Sequence, residues 1–93
     1  MDIKVVNKDR TGFDVLINWT DDNNTSDFKP VLNHVCDRMD NYYDANGLLD
    51  IEWGLIPDEE SVTYIQVMWN DEYDLPEDED IIENVNRWLS EVV

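Results

Sequence analysis

The sequence contains one cysteine, three glycines, three prolines and six Lys or Arg residues among its 93 positions. Because a lone cysteine cannot form an internal disulfide, Cys36 excludes a disulfide-stapled fold and favours a reducing compartment. Three isolated glycines do not make a glycine-rich phosphate loop. No apolar run reaches the 18 or so residues of a membrane span, and the first residues lack the basic start and apolar stretch of a secretory signal. We therefore expect a cytoplasmic protein that does not enter a membrane.

The scarcity of bases contrasts with 23 Asp and Glu residues, which give a formal net charge of -17. From residue 39 onward there are 16 acids and one base, Arg87. Such a field repels nucleic acids and anionic membranes and attracts basic proteins. Hydrophobic residues nevertheless make up 42% of the chain, with four Trp and four Tyr, which is too apolar for a disordered acidic tail. We expect a folded domain whose partner is a basic protein.

Alternating apolar and polar residues predict four strands in two hairpins. The first hairpin pairs residues 3–5 with residues 13–19, and turn-forming residues lie between them. The second pairs residues 49–55 with residues 62–70 across a turn that contains Pro57. The last of these strands has apolar side chains on both faces, so its pattern leaves open which face points inward.

Apolar residues that recur every three or four positions predict two helices, over residues 28–43 and 81–92. The order ββαββα indicates one α+β domain over residues 1–93. A four-stranded sheet with both helices packed on one face would bury every apolar stripe. Because a helix joins the second strand to the third, we expect a mixed sheet in which these two strands run parallel. The predicted core is Phe13, Val15, Ile17, Val31, Leu32, Val35, Ile51, Trp53, Ile65, Val67, Val85, Trp88 and Leu89.

Residues that could carry chemistry are few. His34 and Cys36 do not suffice for a zinc site, which draws on several Cys or His ligands. A calcium loop with Gly47 at its sixth position would have Tyr42 at the first and Trp53 at the twelfth, where carboxylates are required. Catalysis by paired carboxylates needs two of them in different environments beside a pocket, whereas these lie in solvent-loving acidic segments. We expect no metal site, no cofactor and no enzymatic activity.

The carboxylates form arrays that could stand in for the phosphates of DNA. Helical spacing separates neighbouring acids of the first helix by roughly 4.5 and 6 Å along the axis, and one DNA strand carries a charge every 3.4 Å or so. Each array alone is typical of a solvated face, and salt adaptation also produces such surfaces, although ten Asn and a single Ala favour another origin. The predicted binding residues are Asp37, Asp40 and Asp44 on the first helix, Asp50 and Glu52 on the third strand, Asp58, Glu59 and Glu60 in a turn, and Asp71, Glu72, Asp74, Glu77, Asp78, Glu79 and Asp80 before the last helix.

In size, charge and lack of catalytic motifs, the chain resembles the DNA-mimic inhibitors of phages and mobile elements. These include anti-restriction proteins, anti-CRISPR proteins and uracil-glycosylase inhibitors. The resemblance covers the whole chain but is one of kind, because these proteins share no fold or motif that would transfer residue by residue. It implies a protein that occupies the DNA-binding groove of a restriction nuclease, a CRISPR effector or a similar enzyme, in the host cytoplasm if a phage encodes it.

Two other classes of function remain open from the sequence. An immunity protein that neutralises a nuclease toxin is also small and acidic, but it blocks one catalytic site, often with aromatic anchors at the centre of the interface. A general acidic adaptor for a basic protein needs only the electrostatic field. The sequence also leaves open whether the protein forms a homodimer.

Overall fold

The computed structural model describes residues 2–19, 28–59 and 61–92. The elements follow the predicted order ββαββα, with a short 3-10 turn after the first helix. They are β1 (Asp2–Asp9), β2 (Gly12–Asn18), α1 (Lys29–Tyr43), the 3-10 turn (Asp44–Asn46), β3 (Leu48–Leu55), β4 (Val62–Trp69) and α2 (Asp78–Ser90). The α+β class predicted from the sequence is confirmed.

The sheet has the strand order β1-β2-β4-β3, and each neighbouring pair is antiparallel. The predicted mixed sheet is therefore wrong. β2 and β3 do run in the same direction, because both are antiparallel to β4. However, β4 folds back from β3 and lies between them, so two antiparallel pairs replace one parallel pair. Antiparallel pairing is slightly more stable per residue, and a hairpin allows it with a short connection.

Both helices pack on one face of this sheet, as predicted. The sequence left open which face of β4 points inward. In the structure, the inward face carries Thr63, Ile65, Val67 and Trp69. Ile51 and Trp53 were expected in the core but are half-buried, since β3 is an edge strand. The buried core consists of Phe13, Val15, Ile17, Trp19, Val31, Leu32, Val35, Met39, Tyr43, Leu48, Ile65, Val67, Trp69, Ile81, Val85, Trp88 and Leu89.

Two glycines are required by the backbone. Gly12, where β2 begins, has a φ of +152°, and a Cβ there would overlap the carbonyl oxygen of Val67 on β4. Gly47 ends the 3-10 turn with a φ of +122°, a conformation that L side chains rarely adopt. The carbonyl of Gly47 also links two distant segments, since it accepts a hydrogen bond from Asn70 N at 2.8 Å. The start of β3 and the end of β4 are thereby held together.

Candidate protein-binding surface

Three carboxylates follow the exposed side of α1. Asp37 and Asp40 are exposed on the helix, and Asp44 is exposed on the 3-10 turn that continues it. The buried residues of α1 lie on the other side of the helix. At a rise of about 1.5 Å per residue, Asp37 and Asp44 are about 10 Å apart along the axis. A row of carboxylates on a rigid element thus faces solvent.

Two bases of α1, His34 and Arg38, contact a carboxylate at the end of α2. Arg38 donates from Nε and Nη2 to the two carboxylate oxygens of Glu91, at 3.2 Å each. His34 Nε2 lies 2.8 Å from Glu91 Oε1. On the other flank of α1, Asn33 Oδ1 accepts a hydrogen bond from Trp53 Nε1 of β3 at 2.8 Å. His34 and Arg38 are therefore paired with the end of α2, whereas Asp37, Asp40 and Asp44 lie on the exposed side of α1.

A second group of acids lies in the segment from Asp71 to Asp80, which links β4 to α2 and forms the first turn of that helix. Its seven carboxylates are all exposed. The segment is held by hydrogen bonds from Glu72 N to Asn70 Oδ1 and from Tyr73 N to the Asn70 carbonyl, each 3.0 Å long, and Leu75 packs against the core. Acids in the first turn of α2 also suit the positive end of the helix dipole. These carboxylates are therefore presented by an anchored segment.

Two ion pairs join this segment to the first hairpin. Lys8 Nζ lies 2.7 Å from Asp78 Oδ1, and Arg10 Nη2 lies 3.5 Å from Asp71 Oδ2. The Arg10 side chain is 84% exposed, so this pair is open to solvent and to competing groups. Exposed ion pairs contribute only about 0 to 1 kcal/mol. A cationic partner can therefore displace Arg10 from Asp71 at little cost.

The C-terminal end of α1 and the 71–80 segment meet at one end of the molecule. Asn46 and Asp74 line one depression there, and Asn46 lines a second with Asp80, Glu83 and the base Arg87. Asp74, Asp80 and Glu83 thus lie beside the 3-10 turn that bears Asp44, and the last turn of α1, which bears Asp40, leads into this turn. We call this surface the acidic end; its carboxylates are Asp40, Asp44, Asp71, Glu72, Asp74, Glu77, Asp78, Glu79, Asp80 and Glu83.

The remaining predicted residues lie elsewhere. Asp50 and Glu52 are on the helix-free face of the sheet, where their register partners on β4 are Met68 and Gln66. Asp58 and Glu59 lie in the β3–β4 turn, at the opposite end of strands roughly 25 Å long. Glu60 lies outside the described residues. The structure therefore does not bring all the predicted binding residues onto one surface.

Several residues of interest were not selected from the sequence. Glu83 lies one helical turn beyond Asp80, and that spacing could have identified it. On the helix-free face, Gln66 of β4 lies between Asp14 of β2 and Glu52 of β3. Tyr42 and Tyr73 are 53% and 50% exposed. Nothing in the local pattern distinguishes Tyr42 from its buried neighbour Tyr43, or marks Tyr73 at all.

Burial removes one candidate nucleophile from consideration. Desolvation, with a smaller contribution from the nearby charge of Asp40, raises the pKa of the Cys36 thiol to about 12. The thiolate is the nucleophilic and metal-binding form of cysteine. Cys36 is therefore in the unreactive thiol form at neutral pH and acts as a small packing residue beside the core.

Replacing Glu91 with Gln is expected to alter the pH dependence of stability. Hydrogen bonds from His34 and Arg38 lower the pKa of Glu91 below its ordinary value of 4.5. A carboxyl group whose pKa is lowered in the folded state stabilises the fold above its unfolded pKa, and this stabilisation is lost as pH falls through the folded pKa. The Tm difference between wild type and Glu91→Gln should therefore be present at neutral pH and shrink below about pH 4.5.

Thermal unfolding at a series of pH values checks this expectation. Glu83→Gln, on the same helix, is the control. If the two variants show the same Tm difference from wild type at every pH, the contacts of Glu91 with His34 and Arg38 do not contribute as described.

No protein-family model, curated protein or solved structure matches this chain. Neither described helix is long and apolar enough to cross a membrane. Within the described residues, no group of three or more His, Cys, Asp and Glu side chains is arranged to hold a metal ion. The assignment of function therefore depends on the charge and geometry of the surface itself.

Proposed function

We propose that this protein is a DNA mimic, which binds the cationic DNA-binding surface of a nuclease or another nucleic-acid-binding protein and so inhibits it. The main support is the acidic end, where the end of α1, the segment after β4 and the start of α2 bring their carboxylates to one end of the molecule. An inhibitor of this kind acts by occupying a groove and uses no catalytic group or cofactor. A restriction nuclease or a CRISPR effector in the cytoplasm of a host cell is the kind of target that fits.

The geometry of the carboxylates supports mimicry in two ways. Neighbouring acids along α1 are separated by roughly 4.5 and 6 Å of helix axis, which is near the spacing of roughly 3.4 Å between charges along one DNA strand. They are also placed in advance by helices and by an anchored segment, and pre-placed groups bind at a smaller ordering cost than flexible ones. Arg and Lys side chains form charge-assisted hydrogen bonds to carboxylates as they do to phosphates.

Competition with DNA tests the proposal directly. A labelled duplex is bound to purified enzymes of three classes, namely a restriction nuclease, a CRISPR effector nuclease and a uracil-DNA glycosylase. We expect the protein to displace the duplex from one of them, to do so less effectively as salt rises, and not to bind the duplex itself.

Polyglutamate of similar net charge is the control for the electrostatic field alone. If polyglutamate displaces the duplex as well as the protein does, or if the protein displaces it equally from all three enzymes, a general acidic adaptor is the better description. If the protein displaces the duplex from none of them, the mimic proposal is wrong for these target classes.

A second candidate function is supported by the exposed aromatic residues at the acidic end. Tyr42 and Tyr73 are each about half exposed and lie among the carboxylates. Tyrosines in such positions are typical anchors of tight protein interfaces. An immunity protein that blocks the catalytic site of a nuclease toxin would use them, and substitution of one tyrosine would then weaken binding more than removal of any one charge.

A further inference from the structure

A buried hydrogen-bond donor that lacks an acceptor lies beside a pocket at the acidic end. The pocket has a volume of about 390 Å³, and its lining includes the aromatic side chains of Tyr43, Trp69 and Tyr73 together with Asp74. Trp69 is 2% exposed, and its indole Nε1 has no hydrogen-bond partner in the described chain. An unpaired buried N–H costs about 1 to 3 kcal/mol, so its presence beside a pocket needs an explanation.

The other indole donors with assigned contacts are paired. Trp19 Nε1 donates to Thr63 Oγ1 at 2.9 Å, and Trp53 Nε1 donates to Asn33 Oδ1 at 2.8 Å. The Trp69 donor differs because it faces the space left by a glycine. A Cβ on Gly47 would lie 2.8 Å from Trp69 Nε1 and 2.7 Å from Tyr73 Cβ.

The lining of the pocket determines which ligand fits. Aromatic ring faces and the Asp74 carboxylate attract a cation, and a planar guanidinium both stacks on rings and forms paired hydrogen bonds to a carboxylate. The Trp69 N–H requires an acceptor oxygen, which a peptide carbonyl supplies. An arginine residue within a polypeptide has both groups, whereas a polyamine has the charge without the acceptor.

We propose that this pocket receives an arginine side chain of the cationic partner. The guanidinium lies against Asp74 and the aromatic rings, and a backbone carbonyl of the same segment accepts the hydrogen bond from Trp69 Nε1. Tyr73, which is half exposed on the 71–80 segment, moves aside to admit the carbonyl. This inference rests on the proposed function, since it names the residue type by which the partner is held.

The test observes the indole proton of Trp69 by NMR and needs no identified target. Each tryptophan gives one indole cross-peak, and Trp69→Phe identifies the peak of Trp69 by its loss. If that variant does not fold, nuclear Overhauser contacts between the indole proton and the Gly47 α-protons identify the same peak. The probes are N-acetyl-arginine methylamide, its uncharged citrulline analogue, and spermidine.

We expect the arginine probe to move the Trp69 indole peak in a saturable way and the other two probes to leave it in place. Asp74→Asn should weaken binding of the arginine probe by about tenfold, because it removes a charge-assisted contact. Asp58→Asn is the matched control; it removes an exposed carboxylate in the β3–β4 turn, at the opposite end of the molecule, and it should change the affinity by less than about twofold.

A Trp69 peak that stays in place with the arginine probe, or moves equally with spermidine, overturns the arginine pocket. Equal effects of Asp74→Asn and Asp58→Asn overturn it as well. Neither result affects the competition with DNA, which can succeed through the other carboxylates. Conversely, a saturable shift of the Trp69 peak in a protein that displaces DNA from none of the three enzymes would retain the arginine pocket and reject mimicry for these target classes.

Discussion

Replacing Asp40, Asp44, Asp74 and Asp80 together with Asn is expected to abolish inhibition of the partner without unfolding the domain. Each exposed contact is worth about 0.5 to 1 kcal/mol, so four removed together should weaken binding by roughly 30- to 700-fold. The four side chains are exposed and lie in an acidic neighbourhood, so the repulsion that is relieved should offset the lost interaction of Asp80 with the dipole of α2, and Tm should change little. Displacement of DNA at physiological salt measures the binding, and thermal unfolding checks the fold.

A matched variant removes the same number of charges elsewhere. It combines Asp50→Asn, Glu52→Gln, Asp58→Asn and Glu59→Gln, on the helix-free face and in the β3–β4 turn. We expect it to inhibit nearly as well as wild type, because these residues lie outside the acidic end. An equal loss in both variants would show that only net charge matters. A larger loss from Tyr42→Ala or Tyr73→Ala alone would favour the immunity mode of binding.

Trp88→Ala is expected to lower the free energy of unfolding by about 3 to 5 kcal/mol. Trp88 is 4% exposed, and its ring lies edge-on to Tyr42 and Tyr43, with centroids 5.7 and 6.4 Å apart. Truncation would leave a cavity between α1 and α2. Since a domain has about 5 to 15 kcal/mol of net stability in total, this loss would be a large fraction of it.

Urea unfolding, followed by circular dichroism, measures the effect of Trp88→Ala. Trp88→Phe serves as the control, because it keeps an aromatic ring in the same space and should cost clearly less. A loss below about 1 kcal/mol for the alanine variant would mean that Trp88 is not packed as described. Because Tyr42 and Tyr43 contact Trp88, weaker partner binding by the alanine variant would reflect disturbed packing and not a direct contact.

The elements were predictable because their signals are local. The alternation from Phe13 to Trp19 and the helical spacing from Val31 to Tyr43 depend on residues within a few positions of each other. The pattern of β4 was ambiguous, since Tyr64 and Met68 are as apolar as residues on its other face. Its inward face became definite only through pairing with β2 and β3. The predicted mixed sheet was wrong for a related reason: alternation identifies a strand but says nothing about which strand lies beside it.

The sequence by itself determined the charge, the order of elements and the solvent-facing row from Asp37 to Asp44, because these follow from composition and from periodicity along the chain. Only the tertiary structure decided which acids share a surface. The hydrogen bond from Asn70 N to the Gly47 carbonyl fastens the segment that bears Asp74 beside the end of α1, whereas the β3–β4 hairpin carries Asp58 and Glu59 to the opposite end. The pocket beside Trp69 likewise depends on tertiary structure, because its lining residues come from segments far apart in the chain, and such contacts leave no mark in the local pattern of either segment.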